Sequence, residues 1–180
     1  PLNAIVGFSN LLAGGEAEPD SEEAREYAAL ISRNCDHLLT LVSDILDLSR
    51  IESESIEYSF AEYALGQLLR DIYLRKTGSI PRSVDFNLLL PPDDIRITTD
   101  TIRLRQVVEH LVDNSVKFTS RGHIDLGYSF SSDGESVRIF VADTGCGIPA
   151  DQTERIFERF YKVDNFTQGA GLGLSICRTI

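Results

Sequence analysis

The 180-residue chain is 42% apolar and 25% charged, an ordinary globular composition, and carries a formal net charge of −11. The acids gather at the front: residues 1–60 hold 12 acids against 3 arginines, whereas residues 61–180 hold 16 acids against 14 bases. This places a domain boundary near residue 60 and excludes nucleic acid as the main partner, because a phosphate backbone calls for a basic face.

The first stretch, PLNAIVGFSNLLAGG, has no charge, and Ile5, Phe8 and Leu12 recur at helical spacing. Gly14 and Gly15 end this helix. An acidic connection over 16–23 follows, with Asp20 or Ser21 as candidate cap for a second, longer helix. Along that helix Ile31, Leu38, Leu41, Ile45 and Leu48 form a seam, Leu39, Val42 and Leu46 widen it, and Asn34 is its one polar position. The two helices make a hairpin over residues 1–58. Its stripe is too broad for one hairpin to cover, so pairing into a four-helix bundle is expected.

Beyond the hairpin the periodicity changes. Residues 65–76 predict a helix, 83–90 a strand ended by Pro91-Pro92, and 101–118 a helix with Val107, Val108, Leu111 and Val112 on one face. GHIDLGYSF and ESVRIFVAD predict two strands joined at Asp133-Gly134. Residues 151–162 are helical or turn-like, and GLGLSICRTI opens a last helix. The expectation is an α+β layer, a mixed sheet with helices to one side, over residues 59–180.

No apolar run reaches the ~18 residues of a membrane span, and no signal-peptide pattern is present. Cys35, Cys146 and Cys177 are odd in number, lack metal-site spacing, and read as small hydrophobes in a reducing compartment. The chain opens on Pro1 rather than Met and reads as an excerpt from a longer protein.

Three stretches carry chemistry. In RQVVEHLVDNSVKFT, His110, Asn114 and Lys117 lie three or four residues apart, on one helix face. An amide oxygen suits Mg2+ and a lysine suits phosphate. In VADTGCGIP, Asp143 ends a strand beside Gly145 and Gly147. A carboxylate there can accept a hydrogen bond from an exocyclic amine such as that of adenine, and glycines admit a flat base close to the main chain. GAGLGLSI puts Gly169, Gly171 and Gly173 at a helix start, where free N–H groups favour phosphate; the P-loop pattern is absent.

In order and spacing the chain resembles the sensor histidine kinases of two-component systems. RLRQVVEHLVDNSVKFT is similar to their asparagine box, DTGCGIP to their first glycine box, IFERFYKVD to their phenylalanine box and GAGLGLSI to their second glycine box. PLNAIVGFSNLL and LLTLVSDILDLSRIE resemble the two helices of their dimerisation hairpin. The likeness covers essentially the whole chain.

The resemblance implies a helical hairpin that dimerises, followed by an α/β sandwich of the histidine-kinase ATPase type that takes ATP and Mg2+. It implies that Asn114 ligates Mg2+, that Lys117 and Lys162 meet phosphates, and that Asp143 takes the adenine amine. Gly145 and Gly147 would shape the base pocket. Gly169, Gly171 and Gly173, with Leu172 and Leu174 between and after them, would form the hinge and phosphate contact of a lid over KVDNFTQ. Phe157 and Phe160 would pack at the lid's base and Tyr161 would flank the nucleotide. The reaction implied is phosphorylation of a histidine and relay to an aspartate of a response-regulator receiver domain. It would take place in the cytoplasm, with any membrane attachment through segments outside this chain.

Two departures stand out. His110 occupies the place of a usual first asparagine. The phosphoacceptor histidine is expected just before Pro1, so these 180 residues by themselves are expected to bind Mg–ATP without labelling themselves; the strands that follow the last helix in the family are expected beyond Ile180. His37 lies in the second hairpin helix and His123 at a strand start, and both read as structural or surface residues. Two other readings stay open: a degenerate kinase serving as a dimerisation or ATP-binding scaffold, and another ATPase of the same superfold, although those use a glutamate where this chain has His110.

Overall fold

A computed structural model describes residues 1–15, 18, 20–52, 57–132, 134–163 and 171–180. The chain forms two compact units, Pro1–Ser55 and Ile56–Ile180.

The first unit is a helical hairpin of α1 (Leu2–Ala13) and α2 (Glu22–Glu52). Gly14 N–H donates to the Asn10 carbonyl at 2.8 Å as α1 ends, and the Ser21 hydroxyl accepts from Ala24 N–H at 3.0 Å, capping α2. Ile5, Phe8 and Leu12 are half-buried, and the Phe8 ring lies 5.5 Å from that of Tyr27. The polar seam residue Asn34 turns back on its own helix, donating to the Leu30 carbonyl at 2.8 Å. Leu39, Val42, Ile45 and Leu46 remain between 47 and 68% exposed, so one hairpin leaves its apolar stripe uncovered.

The second unit has the expected α+β architecture. In chain order it comprises β1 (Ala61–Ala64), α3 (Leu65–Lys76), β2 (Val84–Leu89), β3 (Arg96–Thr99), α4 (Thr101–Phe118), β4 (Gly122–Phe130), β5 (Val137–Asp143) and α5 (Gly173–Thr179). Short 3-10 turns occupy Ala150–Gln152 and Arg155–Phe157. The main sheet runs β2-β4-β5, parallel between β2 and β4 and antiparallel between β4 and β5. Its register sets Asp143 opposite Ile124, at the strand's end. β1 and β3 pair antiparallel as a separate ribbon that the sequence does not announce. Four residues such as AEYA are too few for a period and poor in β-formers, so only the partner strand makes them a strand.

Leu65, Leu68, Leu69 and Ile72 of α3 pack with Val108 and Val112 of α4 and with Leu126 and Tyr128 of β4 to form the core. Both helices obey 3–4 spacing because one face of each is pressed to the sheet. Their N-termini are closed by acids. Asp94 reaches from the β2–β3 connection to accept Gly66 N–H at 2.6 Å. Asp100, 7% exposed, caps α4 by accepting Ile102 and Arg103 N–H at 3.0 Å each, and also takes Ser59 N–H at 2.9 Å. These donors, Arg103 N–H first and Ser59 N–H next, hold the Asp100 carboxyl below its ordinary range.

Sequence and structure differ on the face of α4. Val108 and Val112 are buried, but Val107 and Leu111 are only half-buried. They line an open cavity of about 600 Å³ with Thr153, Glu154, Phe157, Cys177 and Arg178. The reason is geometric: α4 offers one side to the sheet and another to α5 and the 150s turns. The hairpin-turn residue Asp133 lies outside the described residues; Gly134 beside it takes φ +72°, as a tight turn requires.

Candidate functional site

The site is built around the C-terminal half of α4, which alone carries His110, Asn114, Ser115 and Lys117. The 3.6-residue period turns Val108, Val112 and Ser115 into the protein, while Asn114 is half-buried and Lys117 exposed. Among the described residues the Asn114 side chain makes no hydrogen bond, so its amide oxygen is available to a ligand.

Asp143 is brought to α4 by the sheet. β5 carries it beyond the last core residue, and the turn after it folds the main chain back. Gly145 N–H donates to Asp143 Oδ1 at 2.9 Å, and the Ser115 hydroxyl donates to Asp143 Oδ2 at 2.9 Å. The carboxylate is therefore held from two sides, by its own turn and by α4. Gly145 must be glycine: a Cβ there would lie 2.5 Å from the Phe118 carbonyl oxygen and 2.9 Å from Asp143 Oδ1. Cys146 N–H also donates to the Phe118 carbonyl, at 3.3 Å, which pins the turn to the end of α4. Gly147 takes φ +71° with open space around it.

The second glycine stretch reaches the same helix. A Cβ on Gly173, the first residue of α5, would lie 3.3 Å from His110 Nδ1. Gly171 takes φ +72°, and a side chain there would meet the Tyr161 carbonyl oxygen at 2.7 Å. Its own carbonyl accepts Phe160 N–H at 2.9 Å, and Phe160 itself is left-handed at φ 62°. Two left-handed residues thus close the base of the segment 164–170, which lies outside the described residues together with Gly169 and most of the expected lid. Leu172 is buried and Leu174 half-buried.

Lys117 and Lys162 lie far apart in the chain, yet Lys117 senses the charge of Lys162. The Lys117 ammonium is held below its ordinary value of 10.5, first by burial and then by Lys162. Lys117 also sits 4.9 Å from the centre of the Phe118 ring, and no acidic partner faces it among the described residues. Two cations converging in this way favour a polyanion between them.

The phenylalanine stretch fits its expectation in part. Phe157 lines the cavity beside α4 and lies 5.6 Å under the Arg178 guanidinium. Phe160 is 64% exposed and left-handed; most of the lid it is expected to pack against lies outside the described residues. Tyr161 donates its hydroxyl to Gln152 Oε1 at 3.0 Å and carries the Arg155 guanidinium 4.5 Å above its ring. His37 lies on α2, and His123 lies 3.8 Å from Asp125 on β4, half-exposed.

Residues 1–54 match the His Kinase A (phospho-acceptor) domain, and residues 99–180 match the histidine kinase-, DNA gyrase B- and HSP90-like ATPase family. The chain belongs to the sensor histidine kinases. It is 36% identical to the histidine protein kinase DivJ of Caulobacter vibrioides, over 99% of this chain and 30% of that protein. It thus spans less than a third of the length of that relative. Full-length ShkA in complex with AMPPNP superposes with a TM-score of 0.74 and 35% identity, over 99% of this chain and 37% of that one. Histidine kinase ThkA in complex with the response regulator protein TrrA superposes with a TM-score of 0.67 and 28% identity, over 98% of this chain and 49% of that one. The His Kinase A match falls within the hairpin unit and the ATPase match within the α+β unit.

Sequence reasoning overlooked two residues here. Ser115 gave a signal, a hydroxyl on the buried face of an amphipathic helix, but not its partner. Thr119, 1% exposed at the end of α4, keeps a buried hydroxyl with no partner among the described residues.

Proposed function

We propose that this chain is the kinase core that binds Mg–ATP along the C-terminal half of α4 and passes the γ-phosphoryl group to a histidine nitrogen, from which an aspartate of a receiver domain takes it. The observation that carries the reading is the convergence on one helix: Ser115 holds Asp143, His110 meets Gly173, and Lys117 senses Lys162. The family match and the AMPPNP-bound relative support the nucleotide, and the relative bound to a response regulator supports the partner. The uncovered hairpin stripe supports a homodimer.

Asp143 accepts the amine of the base, and the Gly145–Gly147 turn lets the ring lie against the main chain. Lys117, Lys162 and the start of α5 receive the phosphates. Among the described residues no group of three or more His, Cys, Asp or Glu side chains gathers that could hold a metal by itself. A single amide, Asn114, beside two lysines suits Mg2+, which is commonly bound through one or two protein groups and the substrate's phosphates. Mg2+ bound there would offset charge on the transferring phosphoryl group. A neutral imidazole is already nucleophilic, so the residues' task is alignment and charge stabilisation. His110 extends the site toward α5 as a hydrogen-bonding group in place of an amide.

A phosphoacceptor histidine expected before Pro1 must reach this site, so we place the working joint at the connection between the two units; Ser59, held by Asp100, and β1 already belong to the second. ATP and receiver domains put the reaction in the cytoplasm. No helix among the described residues is long and apolar enough to cross a membrane, and we assign any attachment to segments outside this chain.

The test is calorimetry of this chain with Mg–ATP, followed by incubation with γ-labelled ATP. Binding without acid-labile label is expected here, and label is expected on the upstream histidine of the whole protein. Absence of binding to a folded sample overturns the reading. Binding by a whole protein that never labels favours the scaffold alternative.

A further inference from the structure

We infer that Ser115 is a positioning residue that makes the base site selective for a 6-aminopurine over a 6-oxopurine; the inference rests on the nucleotide reading above. A serine inside a helix ordinarily turns its hydroxyl back to the carbonyl four residues earlier. Ser115 instead donates across to Asp143 Oδ2 at 2.9 Å, while Gly145 N–H holds Oδ1 at 2.9 Å. Ser115 is only 5% exposed, whereas Asp143 is exposed and open to a base.

The consequence lies in how a carboxylate meets a purine. An ionised carboxylate only accepts, through two oxygens. Adenine offers it one useful donor, the exocyclic 6-amine. Guanine offers two parallel donors, N1–H and the 2-amine, which fit both oxygens of a carboxylate presented side by side as a fork. With Gly145 on one oxygen and Ser115 on the other, the plane of the Asp143 carboxylate is set from opposite flanks. Each oxygen keeps a further acceptor site, but turning the carboxylate to offer both oxygens side by side to a base would break the Ser115 or the Gly145 hydrogen bond. The 6-oxo group of guanine would face the same negative charge. Gly145 cannot be varied, because a Cβ there would lie 2.5 Å from the Phe118 carbonyl oxygen. Ser115 is thus the adjustable half of the clamp.

The test compares binding of Mg–ADP and Mg–GDP by calorimetry to the wild-type chain, Ser115→Ala and Ser115→Cys, with thermal melting of each. Loss of a hydrogen bond to a charged acceptor is expected to weaken Mg–ADP by roughly tenfold in Ser115→Ala. Mg–GDP is expected to hold or tighten, so the ADP preference narrows by the same order. Ser115→Cys, whose thiol is a weaker donor of similar size, should fall between and decides the matter if the alanine variant does not fold. A purely structural bond between α4 and β5 would lower the melting temperature and leave the ADP to GDP ratio unchanged, which overturns the inference while leaving the nucleotide reading intact. A wild-type chain that binds neither nucleotide overturns both.

Discussion

The imidazole of His110 lies so close to Gly173 that a single added methyl group would sit 3.3 Å from Nδ1. The contact joins the middle of α4 to the first turn of α5. Gly173→Ala is therefore expected to displace one of the two and to weaken Mg–ATP binding several-fold, with the melting temperature little changed. The shorter amide of His110→Asn relieves the crowding, so the double variant should bind better than Gly173→Ala alone. A double-mutant cycle on the dissociation constants reads the coupling, and additive effects would rule the contact out as a determinant of binding.

Asp143 is expected to be the most sensitive side chain in the base site. Asp143→Asn keeps the shape but replaces one acceptor oxygen by a donor, facing either Ser115 or Gly145. Nucleotide affinity should fall by on the order of tenfold to a hundredfold, the cost of a misplaced charge-assisted hydrogen bond. Calorimetry with Mg–ADP measures it. An affinity within twofold of wild type would contradict the assignment of the base to this carboxylate.

Lys117 yields a pH signature. Its ammonium is held below 10.5 by burial first and the charge of Lys162 second. In the free protein its protonated form is disfavoured, so its contribution to stability improves as pH rises through the depressed value toward 10.5. A bound triphosphate reverses the bias, raising the value again. Binding should thus take up protons on the alkaline side, and affinity should weaken as pH rises from the depressed value through the raised one, levelling off above it. Calorimetry in buffers of different ionisation enthalpy detects the uptake, which Lys117→Met should abolish.

Asp100 tests the frame beneath the site. It accepts N–H groups of Ile102, Arg103 and Ser59, so it caps α4 and ties the chain that enters the ATPase unit. Asp100→Ala should cost about 2 kcal/mol by urea denaturation. Because the folded carboxyl titrates below 3.8, its contribution is present above that value and fades as pH falls through the depressed one. The gap between wild type and Asp100→Asn should therefore narrow in strong acid. A gap that widens there would mean a different group governs this corner.

Much of the molecule was legible in its residues. The helix over 65–76 and the helix over 101–118 were legible from apolar 3–4 spacing, a feature local to the chain. The strands ending in Phe130 and Asp143 were legible from alternation and their shared turn. The box residues could be named because their types and order were on the page. The ribbon of β1 and β3 could not, since each four-residue strand exists only through its partner. Nor could the left-handed backbone and the exposure of Phe160.

The sequence by itself determined most of the helices and strands, where the acidic hairpin gives way to the second unit, and which side chains are candidates for chemistry. Only the tertiary structure decided that the hydroxyl of Ser115 meets Asp143, 28 residues on, and that His110 rests against Gly173, 63 residues on. Period and composition are properties of neighbours along the chain, whereas a hydrogen bond across a fold depends on strand register and helix rotation. Those are set by packing of the whole core at once.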